Sequence, residues 1–299
     1  MSRISWINGA AILAALVASV LAAARDTPRR AIDQTAPALE IDIAEAHRIV
    51  SASTVADVLL LELCAPERII AVTALSADGA AAHRFQGLAT IRSLDDVEAI
   101  VALRPDLLIT HNVADPRRAE RVRAAGPRVL DLGTLEGRAS LGEDARTIGA
   151  LCGSPEAGQR WALAFERRMD AVARDIPADA RRNAIYLSIW GDRFLGGTVG
   201  SSYHDVLEAA GLVDAAADNH RGWPAYAVEQ ILELDPDVIV TRDGMADVLC
   251  GHPVLSRLRA CPDAMVEVDQ DLLDDPGPGM LEAAETIRAA VYPGALSPR

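Results

Sequence analysis

The chain contains 299 residues, of which 50% are hydrophobic, and it carries a formal net charge of −14. This length favours two domains of ordinary size, each large enough to bury its own core. The acidic balance, with a pI near 4.8, argues against nucleic acid as a partner, because binding to phosphates requires a basic surface.

The N-terminus predicts an export signal over residues 1–24. Arg3 supplies the positive start, residues 10–21 form an uncharged apolar run, and residues 22–24 offer a small-residue cleavage site. A run this short favours a cleaved signal over an uncleaved membrane anchor, which stays open as the alternative. Residues 25–43 predict a flexible leader. We therefore expect an exported, periplasmic protein.

Predicted strands and helices alternate over residues 44–153, the first predicted lobe. A strand from His47 ends in small hydroxylated residues, and Thr54 is a suitable N-cap for the helix that follows. The later elements are a strand over 68–73, a helix over 116–126, a strand over 127–133 and a helix over 139–153. This alternation predicts a mostly parallel sheet covered on both faces.

One stretch of the chain occurs twice, at residues 97–110 and 228–241, and the two copies agree at seven of fourteen positions. Each copy is an amphipathic helical turn, then Pro-Asp, then a short apolar strand. Proline fixes φ and lacks an N–H, so it ends the helix, and the strand is of the buried parallel type. The pattern predicts two duplicated lobes; chance recurrence of a common α/β connection is the alternative.

A long helix is predicted between the two copies, over residues 154–177. Ser154 as N-cap and Pro155 at the first helical position are strong start signals, and the pattern runs to Ile176. About 22 residues at 1.5 Å each give roughly 33 Å, which suits a rigid strut between two lobes. The alternative is a surface helix packed on the first lobe.

Residues 178–299 predict a second lobe in which strands and helices again alternate. The predicted elements are strands over 184–190 and 265–269, a Gly-rich turn over 191–201 and a closing helix over 280–292. The predicted fold class is therefore α/β, with two lobes of mostly parallel sheet, one long backbone helix joining them, and a ligand cleft between the lobes.

The chain has four cysteines, and export makes disulfides possible. Cys250 and Cys261 flank a short helix-like segment, which suits a local bridge. Cys64 and Cys152 each end a predicted helix, and they are either buried free thiols or a second bridge. The absence of C-x-x-C disfavours zinc-ribbon and thioredoxin chemistry.

Candidate ligand-binding residues follow the predicted strands, because ligands of parallel sheets bind beyond the carboxyl ends of the strands. Tryptophan offers a broad apolar face for a macrocycle, and arginine suits anionic chelates. Trp190 could instead belong to the core, and Arg92 could be simply solvated. The candidates are Ser53, Thr73, Arg92 and His111 in lobe one, and Trp190, Trp223, Arg242 and Asp271 in lobe two.

The segments 48–73, 97–110 and 223–240 resemble the class III periplasmic substrate-binding proteins, the iron-siderophore and cobalamin receptors of ABC importers. The resemblance covers residues 47 to about 290 and implies two lobes with small hinge motion. It also implies that Glu98 and Glu229 pair with arginines of the permease. Both glutamates begin a helix, so compensation of the helix dipole is the alternative reading.

The resemblance leaves the ligand open. Cobalamin receptors carry aromatic residues at the positions of His111, Trp190 and Trp223 and an Asp at the position of Asp271. Trp190, Trp223 and Asp271 fit this pattern, whereas Arg92 and His111 stand where aromatic residues are expected. Arg92 and Arg242 favour an anionic iron chelate or haem.

These observations predict a monomeric binding protein without a cofactor of its own. It captures a ferric siderophore, cobalamin or haem and delivers it to a permease dimer with its ATPase. Receptors for a bare Zn or Mn ion and non-transport sensors or adaptors are the alternatives, but the six histidines are scattered singly. A hydrolase built from Ser201 and His204 lacks a third group, and nucleophile-elbow, Walker A and HExxH motifs are absent from the sequence.

Overall fold

The structure is a computed structural model that describes residues 46–79, 82–111 and 116–294. The predicted signal peptide at 1–24 and the leader at 25–43 lie outside the described residues. The remainder forms two α/β lobes in sequence, as the repeat predicts.

Lobe one is built on a parallel sheet with strand order β3-β2-β1-β4-β5. Its central strands are short, apolar and buried on both faces, as expected for a sheet covered by helices. The strands are β1 (Ile49–Ser51), β2 (Ile69–Thr73), β3 (Ala89–Ile91), β4 (Leu107–Thr110) and β5 (Arg128–Asp131). The helices are α1 (Thr54–Leu63), α2 (Ala74–Asp78), α3 (Val97–Ala102), α4 (Pro116–Ala124) and α5 (Arg138–Leu151).

Lobe two contains a mixed sheet with strand order β11-β10-β6-β7-β9, and β8 pairs with the start of β6. The strands are β6 (Asn183–Trp190), β7 (Arg193–Gly197), β8 (Val213–Asp214), β9 (Ala225–Tyr226), β10 (Val238–Arg242) and β11 (Met265–Val268). The helices are α7 (Ser202–Ala209), α8 (Val228–Leu234), α9 (Ala246–Cys250), α10 (Gln270–Leu273) and α11 (Gly279–Val291). β6, β10 and β11 are parallel, whereas β7 runs antiparallel to both β6 and β9.

The prediction of a turn over residues 191–201 is wrong, because β7 lies within it. The glycines of this strand make room for aromatic rings. A Cβ atom at Gly196 would overlap the ring of Tyr226, and one at Gly197 would overlap the ring of Tyr203. These glycines are therefore packing positions within a strand.

The Pro-Asp pairs of the two copies have the same role. Asp106 accepts hydrogen bonds from the backbone N–H of His47, at 2.8 Å, and of Arg48. Asp237 accepts one from the backbone N–H of Asn183 at 3.1 Å. Each aspartate thus fixes the start of the first strand of its lobe, and the strand that follows it pairs in parallel with that first strand.

The residue before each repeat proline is left-handed. Arg104 has φ 49° and Asp235 has φ 34°, and among the described residues these are the two non-glycine positions with positive φ. A left-handed residue ends a helix at its C-terminus. The shared geometry, like the shared aspartate, makes the two copies structurally equivalent.

The long helix between the lobes, α6 (Pro155–Val172), ends before the predicted Ile176. It packs tightly on α5, since a Cβ atom at Gly149 would lie 2.7 Å from the Cα atom of Gly158. Phe165 of this helix also belongs to a core cluster that includes residues of both lobes. The helix therefore packs on lobe one and joins it to lobe two. We propose 44–153 and 178–299 as the lobe boundaries.

Two disulfides are present. Cys250 and Cys261 are bonded, with their Cα atoms 5.5 Å apart. Cys64 and Cys152 form a second bridge, with Cα atoms 5.0 Å apart, which joins the C-terminal ends of α1 and α5. Of the two possibilities left open for Cys64 and Cys152, the structure has the bridge.

Candidate ligand-binding cleft

A cleft of about 520 Å³ lies between the two lobes, beyond the carboxyl ends of β1, β2 and β11. Its lobe-one wall includes Thr54, Val58, Leu75, Ser76, Arg84 and Phe85. Its lobe-two wall includes Asp271, Leu272, Asp274, Asp275, Pro278 and Glu282. This is the position where the strand-end rule for parallel sheets places a ligand.

Two of the predicted site residues, Ser53 and Thr73, are buried N-caps of the helices that form the lobe-one wall. The hydroxyl of Ser53 accepts from the N–H of Ala56 at 3.3 Å and caps α1, so the prediction of Thr54 as the N-cap is wrong by one residue. The hydroxyl of Thr73 accepts from the N–H of Ser76 at 3.2 Å and caps α2. Neither hydroxyl lines this cleft, so both residues position the wall.

Thr73 is held in turn by a buried carboxylate. Asp57 accepts from the backbone N–H of Thr73 at 3.1 Å and from its hydroxyl at 2.6 Å, both through Oδ2. Its Oδ1 is buried without a hydrogen-bond partner among the described residues. Burial raises the pKa of Asp57, against the hydrogen bonds from Ser51, Thr73 and Ser76.

His111, predicted to bind ligand, is only 5% exposed. Its Nδ1 lies 2.7 Å from the hydroxyl oxygen of Ser53, and its Nε2 lies 2.9 Å from Oδ2 of Asp144. The three side chains form a buried chain that links the start of α1 to α5. His111 therefore supports the lobe-one wall from behind.

Two of the predicted lobe-two residues, Trp190 and Arg242, lie at the carboxyl ends of β6 and β10. Trp190 ends β6 and is 73% exposed, which excludes the core alternative. Arg242 lies beside it, since its Nη2 donates to the carbonyl of Ile189 at 3.3 Å. Trp223 precedes β9 and is 59% exposed. These three residues do not line the 520 Å³ cleft.

The last two predicted ligand-binding residues, Arg92 and Asp271, differ in whether they line the cleft. Arg92 is exposed at the end of β3, on the edge strand of its sheet, and does not line the cleft. Asp271 does line it, and its side chain is exposed there. Of the eight predicted ligand-binding residues, Asp271 alone lies in the wall of this cleft.

Sequence reasoning missed several cleft residues. Leu75, which is 77% exposed, and Phe85 give the lobe-one wall its apolar surface. Asp274, Asp275 and Glu282 give the lobe-two wall its charge. The available signal was the concentration of Asp, Gly and Pro over 269–279, which follows a predicted strand.

Glu98 and Glu229 occupy equivalent places. Each is the second residue of the helix that precedes the strand of a repeat, α3 or α8, and each is exposed in the first turn. Neither lies in the cleft, so either can be changed without touching its walls.

Ser201 and His204 do not form a nucleophilic pair. Ser201 donates to the carbonyl of Thr198 at 2.7 Å, while Nδ1 of His204 lies 2.8 Å from Oδ2 of Asp214. The hydrogen bond with Asp214 raises the pKa of His204. The two side chains are thus held by different partners. In the part of the chain that the structure describes, no group of three His, Cys, Asp or Glu residues could hold a metal ion.

The model of the periplasmic binding protein family matches residues 49–265 of the sequence. The chain belongs to the periplasmic binding protein family. This confirms the predicted resemblance, and the family is one of binding proteins, which are not enzymes. Over the described ranges, no helix is both long enough and apolar enough to span a bilayer.

Individual relatives agree with this assignment. YvrC of Bacillus subtilis, an uncharacterised ABC transporter substrate-binding lipoprotein, is 25% identical over 66% of this chain and 65% of its own length. A cobalamin-binding protein of Halobacterium salinarum is 32% identical over 50% of this chain and 41% of its own length. The chain therefore spans less than two thirds of either relative.

A solved structure confirms the two-lobed fold. A periplasmic heme-binding protein from Pseudomonas aeruginosa matches with a TM-score of 0.70 and 24% identity, over 84% of this chain and 95% of that chain. At this level of identity the likeness concerns the fold.

Proposed function

We propose that the protein is the substrate-binding component of an ABC importer, and that it captures a metal chelate in the cleft between its lobes. The observation that carries this proposal is the cleft itself, which both lobes line with the segments that follow their strands. Cobalamin, haem and ferric siderophores are the candidate ligands, and the names of the relatives support the first two.

The size and composition of the cleft favour a chelate over a bare ion. Its volume of about 520 Å³ lies within the range of small-molecule sites, about 300–1,000 Å³. A Zn or Mn receptor needs three or more converging ligands, and the described residues contain no such group. Leu75, which is exposed, and the buried Phe85 give the lobe-one wall an apolar surface that suits a macrocycle.

The partner is a permease dimer with its ATPase. Glu98 and Glu229 present the same exposed carboxylate on equivalent helices of the two lobes. A pair of equivalent charges fits a partner with two-fold symmetry, and arginines of such a partner would bind them by charge-assisted hydrogen bonds. The binding protein works as a monomer in this scheme.

Delivery takes place outside the cytoplasm. The apolar run near the N-terminus acts as a cleavable export signal in this proposal. Both described disulfides, Cys64–Cys152 and Cys250–Cys261, are of the kind that persists in the periplasm.

A thermal-shift series tests the proposal. Cyanocobalamin, haemin, two ferric siderophores, ZnCl₂ and MnCl₂ are each added to the purified protein. A ligand at 100 times its Kd stabilises the protein by about 2.7 kcal/mol, which corresponds to roughly 5–10 °C in a protein of this size. We expect a shift with at least one chelate. A shift with the bare ions alone, or with none of the six, would refute the proposal.

A further inference from the structure

The two walls of the cleft differ in charge. The lobe-two wall carries the exposed Asp271, Asp274 and Glu282 together with the half-buried Asp275. The lobe-one wall is apolar or hydroxylated apart from Arg84. The charge of the cleft is therefore concentrated on one side and is negative.

Among the described lining residues, none on the lobe-two wall is basic and able to balance these carboxylates. Arg84, on the lobe-one wall, is the one basic residue among the described lining residues, and its Nη2 pairs with Glu62 at 2.5 Å. Arg92 and Arg242, the arginines that favoured an anionic chelate on sequence grounds, do not line this cleft. A ligand carboxylate placed against the lobe-two wall would find no described side chain to pair with.

The helix terminus on this wall is also occupied. The N-terminus of α11 would ordinarily attract an anion, but the carboxylate of Asp275 fills that position. It accepts from the N–H of Gly277 at 2.8 Å and from the N–H of Gly279 at 2.7 Å. Burial raises the pKa of Asp275, against these two hydrogen bonds. An anionic ligand could not take these N–H groups without displacing it.

The side chain of Asp274 is oriented by a hydrogen bond from Tyr203. The Tyr203 hydroxyl donates to Oδ1 of Asp274 at 2.8 Å. The Tyr203 ring is stacked on Tyr186, with centroids 3.9 Å apart and planes 4° apart, and it fills the space beside Gly197. Burial, together with the neighbouring Tyr186 and Asp274, raises the pKa of Tyr203 well above its usual range, so its hydroxyl stays a donor.

We propose that Asp274, positioned by Tyr203, acts with Asp271 and Glu282 as a charge filter. The cleft accepts a metal chelate that presents N–H or O–H donors, such as peripheral carboxamides, to this wall and rejects one that presents carboxylates. Ionised carboxylates only accept hydrogen bonds, so a ligand carboxylate would find no donor on these three side chains and would be repelled by their charge. This inference rests on the proposed function and narrows its ligand.

The test uses pairs of ligands that differ in whether their peripheral groups are charged carboxylates or uncharged groups. Isothermal titration calorimetry measures the Kd of cyanocobalamin and of the same corrinoid with its peripheral amides hydrolysed to carboxylates. Haemin and its dimethyl ester form a second pair, which tests the rejection of carboxylates alone because the ester groups carry no N–H or O–H donor. For each pair that binds, we expect the Kd of the uncharged member to be at least about 10-fold lower than that of the carboxylate member, as for sites built around specific hydrogen bonds.

Two variants and one control identify the residues that determine the ratio of Kd values within a pair. D271N/D274N/E282Q should bring the Kd ratio of the corrinoid pair below about 3. Y203F, which keeps the stacked ring, should lower the ratio by about 3-fold, the equivalent of one weak hydrogen bond, with no change in thermal midpoint. The control E67Q/D179N/D263N removes three exposed carboxylates that do not line the cleft, and it should retain the wild-type ratio.

The outcomes separate this inference from the proposed function. Equal or tighter binding of the carboxylate members would overturn the charge filter and leave the binding of chelates intact. An unchanged ratio in D271N/D274N/E282Q would overturn the assignment to this wall, and an unchanged ratio in Y203F would overturn the role of Tyr203. Failure of all four compounds and the siderophores to bind would reject the proposed function itself, and the filter with it.

Discussion

Replacing both Glu98 and Glu229 with alanine should abolish uptake of the ligand while leaving its Kd unchanged. Both side chains are exposed, and neither lies in the cleft. Truncating one partner of a docked charge pair costs about 2 kcal/mol or more, so each substitution should weaken docking at least about 30-fold. Uptake into cells or proteoliposomes that contain the cognate permease measures the first quantity, and calorimetry with purified protein measures the second.

The matched control is E120A/E233A, which removes one exposed glutamate from α4 of lobe one and one from α8 of lobe two. Normal uptake is expected from this control. Normal uptake in E98A/E229A would contradict the docking role, and it would leave compensation of the helix dipole as the function of both glutamates.

The disulfide between Cys64 and Cys152 should contribute more stability than the one between Cys250 and Cys261. The first closes a loop with a sequence separation of 88 residues and the second a loop of 11. Loop-closure entropy then gives about 4.5 kcal/mol for the first and about 2.7 kcal/mol for the second, because the longer loop restricts the unfolded chain more. Urea unfolding of C64A/C152A and C250A/C261A measures both losses.

Each double variant serves as the control for the other, since both replace two cysteines with alanine. The expected order is a larger loss of unfolding free energy for C64A/C152A. Equal losses, or a larger loss for C250A/C261A, would contradict the entropic account and indicate that local packing around the bridges dominates.

The structure of each repeat copy was predictable because it depends on residues that are adjacent in the sequence. Proline and aspartate act on their immediate neighbours, so the helix end and the strand that follows recur in both copies. The left-handed backbone of Arg104 and Asp235 was not predicted from the sequence. The Cys250–Cys261 bridge is local in the same sense. The bridge between Cys64 and Cys152 depends on how α1 packs against α5, which the sequence does not specify.

The sequence is ambiguous where a residue type has two structural uses. The glycines of β7 were read as a turn, but Gly196 and Gly197 make room for tyrosine rings that are distant in sequence. Ser53 and Thr73 follow strands, as ligand-binding residues do, yet their hydroxyls cap the helices that begin there. A polar side chain at a strand end satisfies either the next helix or a ligand, and the sequence alone does not distinguish them.

The cleft itself was predictable only in outline. The strand-end rule identified Asp271 and the general location. It does not identify Asp274 or Glu282, because their place in the cleft depends on α10, which Asp274 follows, and on the start of α11, which contains Glu282. The direction of the Asp274 side chain depends on Tyr203 from another helix, which is a tertiary contact.

The central claim is that both lobes contact the same bound ligand. Hydrogen exchange with and without saturating cyanocobalamin tests it most directly. The account predicts simultaneous protection of residues 74–79 in lobe one and 270–282 in lobe two, which form the facing walls of the cleft. Protection in one lobe alone, or protection confined to the surroundings of Trp190 and Trp223, would contradict it.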